Sequence, residues 1–278
     1  MRAIVIGAWI FALLCVGVAP AEEMKPLQIG LLPINSTRNL VSIYDPLREY
    51  LEMSLGRPVI LLSSADFRSF QESTIKGEFD LIMTAAHMGR LAELEAGYLP
   101  LARYISEQHA LLVMAKDRPL PPQADLRGKV IAGIEPMTLT MGSAMRWLHK
   151  QGLQEGSNFT LLTTPTPLSA AYAVNSHQAD LAVLSTQGMK QMPPALRNNL
   201  EVYQQMDVIP SLMWLANPRL KNQAIQLRMI LLKFTSELIP GKRFYDATGY
   251  IGMREIKPGE MRAMDADAEA MKKLLMKQ

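Results

Sequence analysis

From Leu27 onward, short apolar runs alternate with segments whose apolar residues recur at helical spacing. Leu27 to Leu32 (LQIGLL) predicts a first strand that Pro33 ends. A helix follows, carrying Leu40, Ile43, Leu47, Tyr50 and Leu51 on one side, with Pro46 assigned to its first turn. Pro58 to Leu62 and Phe79 to Met83 predict two more strands, separated by a helix from about Asp66 to Gly77 that carries Phe67, Phe70 and Ile75. Met88 to Glu95 reads as helix, Leu101 to Tyr104 as extended, and His109 to Ala115 as strand. Alternation of this kind with short connections predicts a largely parallel sheet in an α/β arrangement.

Lys116 to Gln123 (KDRPLPPQ) interrupts the pattern with charge and proline, and is read as the crossing into a second lobe. The pattern then restarts. Val130 to Ile134 predicts a buried strand, and Ala144, Trp147 and Leu148 recur on one face of the helix after it. Phe159 to Thr163 and Ala179 to Ser185 predict strands, with a helix from Ser169 to about Ser176 between them. Glu201 to Val208 and Ser211 to Ala216 read as extended segments returning to the first lobe. Asn222 to Leu238 reads as one helix, Phe244 to Ile256 as irregular, and Asp265 to Met276 as a final amphipathic helix. The expected organisation is residues 22–115 as the first part of lobe 1, 116–204 as lobe 2, and 205–278 as the return to lobe 1.

Residues 1–21 are set apart. Arg2 precedes an apolar run, Ala3 to Val18, that closes on Ala19-Pro20-Ala21, the layout of a signal peptide cleaved near Ala21. The run is short against the ~20 apolar residues of a spanning helix. Cys15, the single cysteine, lies within it behind Leu14, where a lipoprotein signal would carry a small residue. The chain beyond Ala21 therefore has no disulfide, thiolate metal site or cysteine nucleophile. Without Arg2, 28 basic residues face 26 acidic ones with no basic run, which argues against a nucleic-acid or membrane-surface partner. The 19 methionines are scattered and read as core filler rather than a metal relay. The expectation is an exported, periplasmic monomer.

Candidate chemistry sits where strands give way to helices. Between the strand at 130–134 and its helix lie Thr138, Thr140, Gly142 and Ser143, small residues at a helix mouth whose first N–H groups lack intrahelical acceptors. Such a mouth favours an anion, although Ser and Thr there also serve as plain N-caps. The first lobe repeats the arrangement with Ser36 and Thr37 before its first helix, and delivers Thr84 and His87 at the end of the strand at 79–83. Thr166 follows the strand at 159–163, and Ser185 and Thr186 follow the strand at 179–185. Ligands of open α/β sheets lie at such carboxyl ends.

Five stretches in order, LQIGLLP, YDPLREYLEMSLGRPVILL, GEFDLIM with AGYLPLARY, DLRGKVIAGIEP and AYAVNSHQADLAVLS, resemble the PhnD-like periplasmic substrate-binding proteins of phosphate, phosphite and phosphonate importers. The resemblance implies a type II periplasmic-binding fold, two α/β lobes with mainly parallel sheets joined by two hinge strands, with ligand held between them. It implies an ABC permease as partner and no cofactor or metal. Where the family carries a serine-threonine-serine-glycine loop, this chain has Thr138-Leu139-Thr140-Met141-Gly142. A histidine of better-known members corresponds to Thr166-Pro167-Leu168, and an acidic residue that meets a ligand amine corresponds to the region of Thr186-Gln187. These departures keep an oxyanion site and count against an aminoalkyl ligand.

The leading expectation is thus a periplasmic receptor for a small phosphonate- or phosphate-type oxyanion. The rival of another class is a ligand-sensing protein that docks on a sensor kinase or chemoreceptor. Enzymatic activity has little support. His87, His109, His149 and His177 lack metal-ligand spacing, and no GxSxG elbow surrounds any serine.

Overall fold

A computed structural model describes residues 25–276; the signal-peptide assignment and Cys15 fall outside them. Two mixed sheets, each flanked by helices, form two lobes. The first sheet has strand order β11-β4-β10-β3-β1-β2 and the second β7-β6-β8-β5-β9.

The chain builds β1 (Leu27–Leu31), α1 (Thr37–Leu55), β2 (Val59–Ser63), α2 (Phe67–Ile75), β3 (Leu81–Thr84), α3 (Ala86–Ala96) and β4 (Leu99–Tyr104). It then crosses to the second lobe for β5 (Gln108–Ala115), β6 (Val130–Gly133), α4 (Leu139–Lys150), β7 (Thr160–Thr163), α5 (Pro167–Asn175), β8 (Leu181–Ser185), α6 (Thr186–Gln191), α7 (Pro194–Asn198) and β9 (Leu200–Ile209). The return comprises β10 (Met213–Ala216), α8 (Ala224–Lys233), α9 (Ile239–Thr248), β11 (Met253–Glu255) and α10 (Asp265–Met276). In each lobe the three βα units pair in parallel, β1 with β2 and β3, and β6 with β7 and β8. Strands β10 and β5 enter antiparallel.

Hydrophobic burial follows these layers. The first lobe packs Leu40, Leu47 and Leu51 of α1 and Phe70 of α2 against the fully buried Leu27, Ile29, Leu81 and Ile82. The second sheet has an apolar cluster on each face, one around Ile131, Met141 and Leu148, the other around Ala132, Ala170 and Val174. A strand buried on both faces reads as a continuous apolar run, as β6 and β8 do.

Several expectations are corrected. Strand β5, expected in lobe 1, pairs with β8 and β9 in the second sheet. The crossings therefore fall at residues 105–107 and 210–212 rather than at 116 and 204. The proline-rich stretch after Ala115 is a connection within the second lobe. Helix α1 starts at Thr37, so Pro46 lies inside it rather than in its first turn, and the Ser42 carbonyl forgoes its usual donor. The single helix expected over 222–238 is a 3-10 segment, Pro218–Gln223, followed by the shorter α8. The segment expected to be irregular from Phe244 begins inside α9, which starts with Pro240 in its first turn and stops at Gly249, at φ 71°. Helices α6 and α7 were not anticipated.

Candidate functional site

The first turns of six helices meet around one cavity of about 230 Å³ between the lobes. Asn39 of α1, Phe67 of α2, Ala85 and His87 at α3, Thr138, Leu139 and Thr140 at α4, Pro167 and Leu168 of α5, and Ser185, Gln187 and Gly188 at α6 all border it. The convergence follows from topology, since the helix after a parallel strand begins at the strand's carboxyl end. Among the described residues no Lys, Arg, Asp or Glu lines the cavity. Its polar groups are amides, hydroxyls and the imidazole of His87. The positive field comes from the helix termini, each contributing about 0.3–1 kcal/mol toward a nearby anion.

Thr138 caps α4, its hydroxyl accepting from Met141 N at 3.2 Å and donating to the Glu135 carbonyl at 3.2 Å. Ser185 caps α6 by accepting from Gly188 N at 2.9 Å. The Thr138 hydroxyl is thus engaged in both directions, whereas Ser185 keeps its O–H, which together with the remaining backbone amides is a donor left for a ligand. His87 is buried, and its Nε2 lies 2.7 Å from the Met137 carbonyl oxygen. Burial pushes its pKa below the usual range, opposed by the bond to Met137 and by Asp267.

Of the eleven sequence-derived positions, His87, Thr138, Thr140 and Ser185 border the cavity. The other seven lie outside its lining. Ser36 and Thr37 are exposed at the start of α1. Thr84 is fully buried at the end of β3. Gly142 and Ser143 lie within α4, where the position of a Gly142 Cβ is 3.4 Å from an Arg146 Nη. Thr166 caps α5, accepting from Ser169 N at 3.1 Å. The Thr186 hydroxyl accepts from His109 N at 3.1 Å and so ties α6 to β5.

The sequence reading passed over most of the amide wall: Asn35, Asn39, Gln108 and Gln191, together with Tyr250. Gln187 is 5% exposed, and neither side-chain amide atom has a partner among the described residues. Tyr250 stacks on Tyr104 with ring centroids 4.1 Å apart and planes 4° from parallel. Apolar residues complete the lining, among them Leu32, Ile43, Ile134, Ile209 and Leu212. One glutamine signal was available, since Gln187 directly follows Ser185 and Thr186. Gln108 reaches the cavity from the start of β5 and Tyr250 from the connection between α9 and β11, and neither carries a local motif.

Among the described residues no helix is long and apolar enough to cross a membrane, and no cluster of His, Cys, Asp and Glu could hold a metal ion. The family model for the periplasmic substrate-binding protein of phosphonate ABC transporters matches residues 29–260. No curated protein matches the sequence. Among solved structures, a binding-protein component of an ABC phosphonate transporter from Pseudomonas aeruginosa superposes with a TM-score of 0.77 at 17% identity, covering 92% of this chain and 90% of that one. PhnD1 from Prochlorococcus marinus in complex with methylphosphonate gives 0.78 at 17% identity, with 90% and 99% coverage. The periplasmic aliphatic sulphonate-binding protein SsuA from Escherichia coli gives 0.64 at 14% identity, with 91% and 94% coverage. At these identities the structural likenesses concern the fold.

Proposed function

The chain belongs to the family of periplasmic substrate-binding proteins of phosphonate ABC transporters, and from that premise we propose that it captures a small organophosphonate-type oxyanion between its lobes and delivers it to a membrane permease. Proteins of this family carry a solute and are not enzymes. The observation that carries the reading is the convergence of six helix N-termini on a cavity that, among the described residues, no charged side chain lines. Backbone N–H groups and helix dipoles hold an anion without a counter-charge, and a buried oxygen left without a donor costs about 1–3 kcal/mol.

The cavity has two characters. Asn39, Gln108, Thr140 and Gln187 supply neutral hydrogen-bonding groups, whereas Leu32, Ile43, Ile134 and Ile209 offer no partner to a polar chain. A ligand with an oxyanion head and a short apolar arm fits both. An aminoalkyl arm does not, because an ammonium would meet no carboxylate there. Residues 1–21 act as the export signal, with cleavage near Ala21. Lobe closure pivots on the two crossings at 105–107 and 210–212.

Thermal denaturation of the purified protein against phosphonates, phosphate, phosphite, sulfonates and carboxylates tests the reading. A phosphonate at a hundredfold excess over its Kd raises Tm by about 5–10 °C. A panel in which no oxyanion moves Tm refutes it. Uptake of the same phosphonate into vesicles holding the cognate permease, dependent on added protein, tests delivery.

A further inference from the structure

We propose that the cavity selects its oxyanion in a protonated form, a monoanionic organophosphonate whose P–OH donates to Nδ1 of His87, over a sulfonate of the same shape. The inference rests on the reading of the cavity as an oxyanion site and adds a demand that site makes of its ligand.

His87 is the second residue of α3 and borders the cavity. Its Nε2 lies 2.7 Å from the Met137 carbonyl oxygen. A carbonyl only accepts, so Nε2 carries the hydrogen. In the neutral ring Nδ1 is then a bare lone pair, and it is buried with no partner among the described residues. The bond to Met137 also fixes the ring, so the acceptor cannot exchange places with the donor. Gln187, by contrast, presents both a donor and an acceptor and can rotate to suit.

Burial is the largest influence on the ring and keeps it neutral near pH 7. Two charged groups act on it from packed elements, Asp267 of α10 favouring the imidazolium and Arg146 of α4 opposing it. These two are paired with each other at 3.2 Å, so their effects largely offset. Gln71 of α2 donates to the Met88 carbonyl at 3.3 Å and brings no charge.

A fully deprotonated oxyanion offers only acceptors, and its oxygen against Nδ1 would set lone pair against lone pair. A phosphonate keeps its last proton to near neutrality and can supply the missing donor. A sulfonate, the anion of a strong acid, carries no proton at any pH where the protein is folded. The complex thus holds one proton between P–O and Nδ1. When the free ligand is the dianion, binding takes that proton from solvent, and affinity falls tenfold for each pH unit.

Isothermal titration of the purified protein with propylphosphonate and with propane-1-sulfonate, between about pH 5.5 and about pH 8.5 in two buffers of different ionisation enthalpy, decides the matter. Near pH 6 the phosphonate is expected to bind at least about tenfold more tightly than the sulfonate. Above its second ionisation its Kd rises about tenfold per pH unit, with uptake of about one proton. The variant His87→Asn keeps a polar atom near the Nδ1 position but can present an N–H there. It is expected to flatten the pH profile and narrow the preference for phosphonate. Should that variant fail to fold, the proton uptake of the unmodified protein still gives the answer. Equal affinities without proton uptake overturn this inference and leave the oxyanion site standing. Binding of neither probe at any pH overturns the oxyanion reading and this inference with it.

Discussion

Glu260 fastens the edge of the first sheet, and acid should release it. Its carboxylate accepts from Arg254 through Nη1 at 2.8 Å and Nη2 at 2.6 Å, from Arg103 Nη1 at 2.7 Å, and from the Lys257 amide at 3.0 Å. Arg103 lies on β4 and Arg254 on β11, so one side chain ties two strands to the turn that precedes α10. The paired Arg254 guanidinium, with the Lys257 amide and Arg103, outweighs desolvation and holds the Glu260 pKa down at about 2, from an ordinary value of 4.5. A shift of that size has a ceiling of about 3.4 kcal/mol at 1.36 kcal/mol per unit. Arg254 is 40% exposed, and solvent screening lowers the expected contribution to about 1–2 kcal/mol. Because the folded pKa is depressed, the contribution is complete above the unfolded value and disappears as pH falls from about 4.5 to about 2. Glu260→Gln resembles the protonated acid. Urea unfolding of the two proteins across pH should therefore show a gap of about 1–2 kcal/mol at pH 7 that closes over that acidic window. A gap of the same size at both ends of the window, or none at pH 7, would show that the pairing contributes nothing of this kind.

Asn217 is 4% exposed and donates to the carbonyls of Gly77 at 3.2 Å and Phe79 at 3.1 Å, while its Oδ1 accepts from Arg219 N at 3.1 Å. Asn217→Ala should cost about 1–3 kcal/mol in the same urea assay, and a loss below ~0.5 kcal/mol would mean that water replaces those bonds. A Cβ on Gly133 would sit 2.5 Å from Sδ of the fully buried Met141. Gly133→Ala should destabilise by about 1–3 kcal/mol, and the double variant G133A/M141A should lose less stability than the sum of the two single losses; strict additivity would place the strain elsewhere. Arg146 of α4 and Asp267 of α10 join the lobes at 3.2 Å with Arg146 57% exposed, so Arg146→Ala should change ligand affinity by no more than about fivefold, measured by titration at low and high salt. A hundredfold loss would mean that this pair, rather than the cavity, governs closure.

Much of this architecture was legible because each βα unit writes its own boundaries. Strand β6 is a short β-branched run, Thr138 caps the helix after it, and the register of Ala144 and Leu148 gives the buried face, all within twenty residues. The hinge was not legible by the same means. Lys116 to Gln123 has the composition of an interlobe linker, yet the crossings occur in residues 105–107 and 210–212, where strands of the two sheets follow each other almost without a break. Helix α9 was hidden for a related reason, since Pro240-Gly241 reads as a turn by composition but forms the first turn of a helix. Within the site, hydroxyls at strand ends drew attention although several cap helices, and of the glutamines only Gln187 was noted, as the neighbour of Thr186. Glutamine has little positional preference, and its role here depends on which distant segments face it.

The cavity owes its shape to contacts that belong to neither lobe alone. Met137 of the second lobe's β6–α4 connection packs against the first lobe's core, and Leu139 at the start of α4 is buried in it. The Met137 carbonyl holds His87, and Gln191 of α6 donates to the Thr248 carbonyl of α9 at 3.3 Å. Each polar contact is worth about 1 kcal/mol net, and the ion pair at the rim is worth less. A sum of a few kcal/mol is the right scale for a receptor that must open again, because lobes fastened far more tightly would retain the solute that the permease is to receive. Two buried groups beside these contacts, Nδ1 of His87 and the side-chain amide of Gln187, have no hydrogen-bond partner among the described residues. A ligand that supplies those bonds adds its own contribution to the closed state and withdraws it on leaving, which couples occupancy to lobe closure through groups that touch both.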